Sequence, residues 1–265
     1  MLENFDDSDS AVIGFMFDNE HSKTCKVFNY ENIAIKIKTI DENPGHVQSG
    51  LYLWPAGNCL CRHLHFIWNE IQSDFILELG SGCGLSGIFV SKLPGVKTVI
   101  LTDYDPGSIK ILEENVALNN DSTPSSNCLV KQFSWGCEND IDTLKYNCQG
   151  NENSFKLIIG SDLIYCKDVI YPLLYSIANL LSDVGIFVLA SSFDIGPESL
   201  SIMENQCKQL GLDLVDIKPL DITMPRDDYS DFDNEVYSKI QYITKSSKFD
   251  VLYDEYLKKS SGYST

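Results

Sequence analysis

The residues that could do chemistry gather in one stretch, FILELGSGCGLSG, from Phe75 to Gly87. An apolar run there carries Glu78 and then breaks into Gly80, Gly82, Gly84 and Gly87. Glycines in such a loop let main chain approach a ligand closely, and a helix starting after them offers free N–H groups. A second apolar run ends in an acid, Asp103 of ILTDYD. An acid in that place suits hydroxyl recognition on a ribose, as in dinucleotide-binding folds. A third run, FKLIIGSDLIY, carries Asp162 and Tyr165. Ser161-Asp162 is also good turn chemistry, so a local cap is the alternative reading of that acid.

A glycine loop does not by itself choose a ligand, and Gly80, Gly82 and Gly87 fit a loose dinucleotide fingerprint. Glu78 argues against a pyrophosphate, beside which it would add negative charge. It suits a cationic ligand without phosphate, the alternative being a local cap or pair. S-adenosylmethionine, with a sulfonium, an ammonium and a ribose, is such a ligand.

The elements that must position these residues follow a rhythm. IAIKIK, with Ile33, Ile35 and Ile37 alternating with polar residues, predicts a half-buried strand in a hairpin with the segment before it. Trp54-Pro55 opens a helix expected to reach about Ile71. From Phe75 onward, short apolar strands alternate with helical patterns: FILELG, VKTVILTDYD, NCLVKQFSW, FKLIIGSDLIY and GIFVLASSF are the strands. LDLVDIKPLD and VYSKIQYIT read as two more strands. Alternation of this kind means an α/β fold with a mostly parallel sheet covered on both faces. Asp168 is expected to cap the helix that follows it. The expected organisation is an N-terminal extension with a β-hairpin over 1–48, a main domain over 49–245 and a tail over 246–265.

The chain has 265 residues, 43% of them hydrophobic, which supports a full core. No apolar run approaches the roughly 20 residues of a membrane span, and the acidic N-terminus does not look like a secretory signal. Nine cysteines without a CxxC pair point to a reducing compartment, with cytoplasm the expected location and the nucleus open as a second. Cys59, Cys61, His63 and His65 alternate in a predicted helix, which does not suit tetrahedral zinc, so no metal is expected. The net charge of −18 repels phosphate backbones and leaves basic protein surfaces or cationic small molecules as natural partners.

Taken in order, GLYLWPAGNCL, LELGSGCGLSGI, LTDYD, NVALNN, FSWG and IIGSDLIY resemble the blocks of the methyltransferase-like 21 group. These are the family-16 lysine methyltransferases, within the seven-β-strand (class I, Rossmann-like) methyltransferases. The resemblance covers about residues 30–195. It implies a seven-stranded sheet with an antiparallel last strand, S-adenosyl-L-methionine as cofactor and a protein lysine as acceptor. It also implies site residues. Trp54 matches a tryptophan at the entrance to the cofactor site, although a Trp-Pro pair can equally be a packing anchor. Glu78, Gly80, Gly82 and Gly84 match the loop around the amino-acid end of the cofactor. Asp103 matches the acid on the ribose hydroxyls, Trp135 the aromatic beside adenine, and Ser161 a small residue lining the pocket. Asp162 and Tyr165 match the DxxY pair at the methyl-transfer end. Two departures concern the substrate: Cys83 stands where many relatives have Thr, and SSFDIGPESL lacks an Arg that many lysine-modifying relatives carry.

Other readings stay open from sequence. The chain could methylate a small amine or another protein side chain. It could be an inactive methyltransferase fold serving as a binding subunit, or an NAD-binding Rossmann protein. The acidic RDDYSDFDNE stretch is a candidate docking loop for a basic protein.

Overall fold

The computed structural model describes residues 23–41, 49–120, 126–147, 154–217 and 239–245. The first 22 residues, the acidic 227–235 loop and the 246–265 tail, each singled out from sequence, lie outside these. Strands β1 (Lys23–Tyr30) and β2 (Ile33–Ile40) form an antiparallel hairpin. Helix α1 spans Ala56–Ile71. The main body then runs β3 (Phe75–Glu78), α2 (Leu85–Ser91), β4 (Thr98–Asp103), α3 (Pro106–Leu118), β5 (Asn127–Gln132), α4 (Glu138–Asn147), β6 (Phe155–Ser161), α5 (Ile170–Leu180), β7 (Leu181–Ser191), α6 (Gly196–Gln209), β8 (Asp213–Ile217) and β9 (Lys239–Thr244).

Seven strands make one sheet in the order β5-β4-β3-β6-β7-β9-β8. Strands β3 to β7 are parallel, and β9 runs antiparallel to both β7 and β8. The apolar runs explain the layering. A parallel strand with both faces covered is apolar throughout, and successive side chains go to opposite faces. Ile76, Val99, Leu101, Leu157 and Ile159 pack into one core with α1, α2, α3 and the hairpin. Their neighbours Leu77, Ile100 and Ile158 pack into a second core with α4, α5 and α6. Phe28, Tyr30, Ile35 and Ile37 bring the hairpin into the first of these cores.

Two expectations need correction, and one helix was not foreseen. The run FKLIIGSDLIY ends as a strand at Ser161, because Asp162 takes a positive φ of 53° that no strand accommodates. Strand β7 starts at Leu181, four residues before the apolar GIFVLA. Helix α4 has no counterpart in the sequence reading. It is polar outside, with Ile141 and Leu144 buried one turn apart, Glu138 and Asp140 in its first turn and Lys145 in its last.

Candidate functional site

The site forms where the parallel strands end. Strand β3 breaks after Glu78, and the loop turns into α2 with positive φ at Gly80 (59°), Gly82 (50°) and Gly84 (84°). Glycine is also needed there for space. A Cβ on Gly80 would stand 2.7 Å from Leu163 Cδ2 and 3.1 Å from Trp135 Cζ2, and one on Gly82 would stand 3.0 Å from the Gly50 carbonyl oxygen. A cavity of about 590 Å³ lies over this loop. Trp54, Gly80, Gly82, Asp103, Trp135, Ser161, Asp162 and Tyr165 all line it. Its rim is open where Tyr104 and Tyr165 are 62% and 49% exposed.

Glu78 and Gly84 are not among the lining residues. Gly84 sits behind the loop as the N-cap of α2. Glu78 is buried beneath the loop, where its Oε1 accepts the Gly87 N–H at 3.1 Å and its Oε2 accepts no hydrogen bond among the described residues. Burial, the largest influence, pushes its carboxyl up to about 8. The structure therefore makes Glu78 a brace of the loop, the local pairing, and not a counter-charge facing the cavity.

Asp103 ends β4, and each of its oxygens accepts one backbone N–H: Oδ2 from Gly82 at 3.0 Å and Oδ1 from Asp105 at 3.1 Å. A carboxylate offers about four acceptor positions, so both oxygens keep capacity for a further donor. That suits a pair of neighbouring hydroxyls. Burial raises its pKa despite these bonds. Trp135 is half-buried against Gly80 and presents indole surface to the cavity.

Asp162 carries more partners. Its Oδ1 accepts the Ser192 N–H at 2.7 Å, and its Oδ2 accepts the Ser192 hydroxyl at 2.8 Å and the Ala56 N–H at 3.1 Å. It thereby joins the end of β6 to the end of β7 and caps the first turn of α1, where a negative charge also interacts favourably with the positive end of the helix dipole. Burial raises its pKa, and the bonds from Ser192 and Ala56 work against that rise. Tyr165 stands at the rim with its pKa raised, chiefly by burial. Trp54 lines the wall and donates from Nε1 to the Ser49 carbonyl at 3.0 Å, so it is anchored as well as exposed to the cavity.

Sequence reasoning missed several lining residues. Asp168 lies in a short 3-10 turn, Lys167–Val169, and lines the cavity, whereas α5 has no side-chain cap. Gly50 belongs to a turn, Ser49–Leu51, that forms one wall. The only local hint was the glycine itself: a Cβ there would fall 2.0 Å from Ser108 Oγ. Tyr104 gave no signal beyond its place after Asp103. Among the described residues no cluster of three or more His, Cys, Asp or Glu side chains could hold a metal, and no helix is long and apolar enough to cross a membrane.

The donor set fits an adenosyl group: two free acceptor positions on Asp103, an indole face, and glycine main chain that a ligand can approach without side chains intervening. The sheet order, the antiparallel β9 and this cradle define a class I S-adenosylmethionine-dependent methyltransferase. The chain matches the lysine methyltransferase family over residues 32–193, more than half its length, and belongs to that family. It is 27% identical over 200 residues to the protein N-lysine methyltransferase METTL21A of Mus musculus, covering 75% of this chain and 84% of that one. It is 31% identical over 123 residues to EEF1A lysine methyltransferase 3 of Xenopus tropicalis, covering 46% and 48%. Among solved structures, PH0793 from Pyrococcus horikoshii aligns with a TM-score of 0.51 at 15% identity, covering 85% of this chain and 74% of that one. SMU.776, complexed with SAH, aligns at 0.52 and 12%, covering 83% and 55%. At those identities the likeness concerns the fold alone.

Proposed function

We propose that this chain transfers a methyl group from S-adenosylmethionine to a lysine side chain of a protein substrate. The observation that carries the reading is one cavity lined by both Asp103–Trp135 and Asp162–Tyr165, open at a tyrosine rim through which a side chain of a larger molecule can enter. When bound, S-adenosylmethionine supplies an electrophilic methyl group on a sulfonium. Asp103 would accept from the ribose hydroxyls. Trp135 would pack on the adenine, and such stacking is worth about 1–3 kcal/mol. Gly80 and Gly82 let the main chain lie against the remainder.

The acceptor amine must be neutral to attack. A lysine of ordinary pKa near 10.4 costs about 4 kcal/mol to use neutral at pH 7.4. Asp162 retains about one acceptor position on Oδ1 after its three bonds, enough to orient an incoming ammonium before its proton passes to water. Tyr165 walls the alkyl stem at the rim. The rate then comes mainly from positioning. The net charge of −18, with Asp105 and Asp168 also on the cavity wall, favours a substrate with a basic surface.

The test is transfer of tritiated methyl groups from S-adenosylmethionine to proteins of a cell extract, followed by acid hydrolysis of the labelled bands. Label in methyllysine, lost with Asp103→Asn, supports the reading. Label confined to small molecules, or to another amino acid, contradicts it.

A further inference from the structure

Asn115 of α3 and Asn119, the residue that caps its C-terminus, hold the edge of β2 in the same way. Asn119 Oδ1 accepts the Lys36 N–H at 2.9 Å, and its Nδ2 donates to the Lys36 carbonyl at 2.7 Å. Asn115 Oδ1 accepts the Lys38 N–H at 2.7 Å, and its Nδ2 donates to the Lys38 carbonyl at 2.9 Å. Each side-chain amide thus imitates a neighbouring strand. The spare N–H distinguishes them. In Asn119 it returns to the Asn115 carbonyl within the helix at 2.8 Å, whereas in Asn115 it reaches the Cys83 carbonyl in the glycine loop at 2.8 Å.

The loop is tied to the hairpin a second time. The single Cys83 S–H is within reach of the carbonyls of Gly50 and Leu51, at 3.4 and 3.2 Å, and is shared between them. Thr39 Oγ1 of β2 donates to the same Leu51 carbonyl at 3.0 Å, and Ile40 bridges Tyr52. The connections close a ring from β2 through the 49–52 segment and the glycine loop to Asn115 and back to β2. Two stretches of that ring, 49–52 and 80–83, contribute cavity wall through Gly50, Tyr52, Gly80 and Gly82.

We propose that Asn115 is a positioning residue for the cofactor site: its amide locks the glycine loop to the β1–β2 hairpin, so that the hairpin sets the shape of the cradle. Asn115 is fully buried, and both of its N–H groups and its oxygen are engaged. Without it the Cys83 carbonyl loses its side-chain donor, and the alternating positive-φ glycines Gly80, Gly82 and Gly84 lose the contact that selects their arrangement. This inference rests on the cofactor reading above, and its test separates the two.

The experiment compares Asn115→Ala with Asn119→Ala in the full chain. S-adenosylhomocysteine is titrated calorimetrically, melting temperature is recorded, and amide exchange is followed in the ligand-free protein. Both substitutions remove a two-bond clasp on β2, so both lower the melting temperature. Only Asn115→Ala should weaken binding, by about tenfold for one buried hydrogen bond and the loop order it holds, and only it should speed exchange across residues 80–85. Equal binding by the two variants, with equal exchange in the loop, overturns the inference. If wild type does not bind, the cofactor reading fails, and the exchange comparison still decides the coupling. If Asn115→Ala does not fold, Thr39→Val opens the same ring from the hairpin side. Faster loop exchange in that variant supports the coupling, and unchanged exchange refutes it.

Discussion

Asp103 and Asp162 occupy matching places on the two strands that flank β3, one closing β4 and the other just beyond β6. Both are 8% exposed, and burial raises the pKa of each. Their hydrogen bonds differ. Asp103 takes one N–H on each oxygen, both from residues beside it in the site, and keeps acceptor capacity on both oxygens. Asp162 takes three donors from two distant segments and keeps little. The same residue type at the same level of the sheet is in one case free to hold a ligand and in the other mostly occupied in holding the wall. A buried acid at a strand end is therefore not assigned by position alone; the count of its unused acceptors decides.

The largest expected effect is on stability. Asp162→Ala strands the N–H groups of Ala56 and Ser192 and places alanine at a φ of 53°. It should cost about 3 kcal/mol or more, read as a lower denaturant midpoint. A loss below about 1 kcal/mol would mean that the wall does not depend on this acid. Asp103→Asn should weaken S-adenosylhomocysteine binding by about 100-fold, as expected when two hydrogen bonds to a charged acceptor are degraded. An unchanged Kd would remove Asp103 from the ligand. Trp135→Ala should cost about tenfold in the same titration if the indole packs on adenine.

A subtler effect separates the brace beneath the loop from both acids. Glu78 is pushed up to about 8 in the folded protein, above its unfolded value. Between the two values the folded state binds the extra proton, so stability is highest below the unfolded pKa and is lost as pH rises toward 8. Glu78→Gln cannot ionise and should flatten that decline, melting higher than wild type at pH 8.5 relative to pH 5. Parallel melting curves for the two proteins across that range would show that Glu78 is not held neutral.

Much of this was legible in the residues. The alternation of apolar runs and helical patterns after Phe75 foretold the parallel sheet, because strands covered on both faces must be apolar on both. The glycine loop, Asp103 and Trp135 come to one cavity as expected. What escaped was long-range. Glu78 looked like a ligand group because nothing in FILELG shows that α2 closes over it. Asp168 looked like a cap, but the chain between Tyr165 and Ile170 turns as a 3-10 segment and leaves it on the cavity wall. Asn115 opens the NVALNN block, but nothing local assigns it a role, since its partners lie 77 and 32 residues away. Helix α4 escaped because its two buried apolar residues are too few to set a period against its charges.

The most direct measurement is a calorimetric titration of S-adenosylhomocysteine into wild type, Asp103→Asn and Asp162→Asn, with a melting curve for each. The expected result is a single site in wild type, severe loss of affinity with modest loss of stability in Asp103→Asn, and the reverse in Asp162→Asn. Equal loss of affinity in both variants at unchanged stability would contradict the division of labour between the two acids, and no binding by wild type would contradict the cavity's assignment to this cofactor.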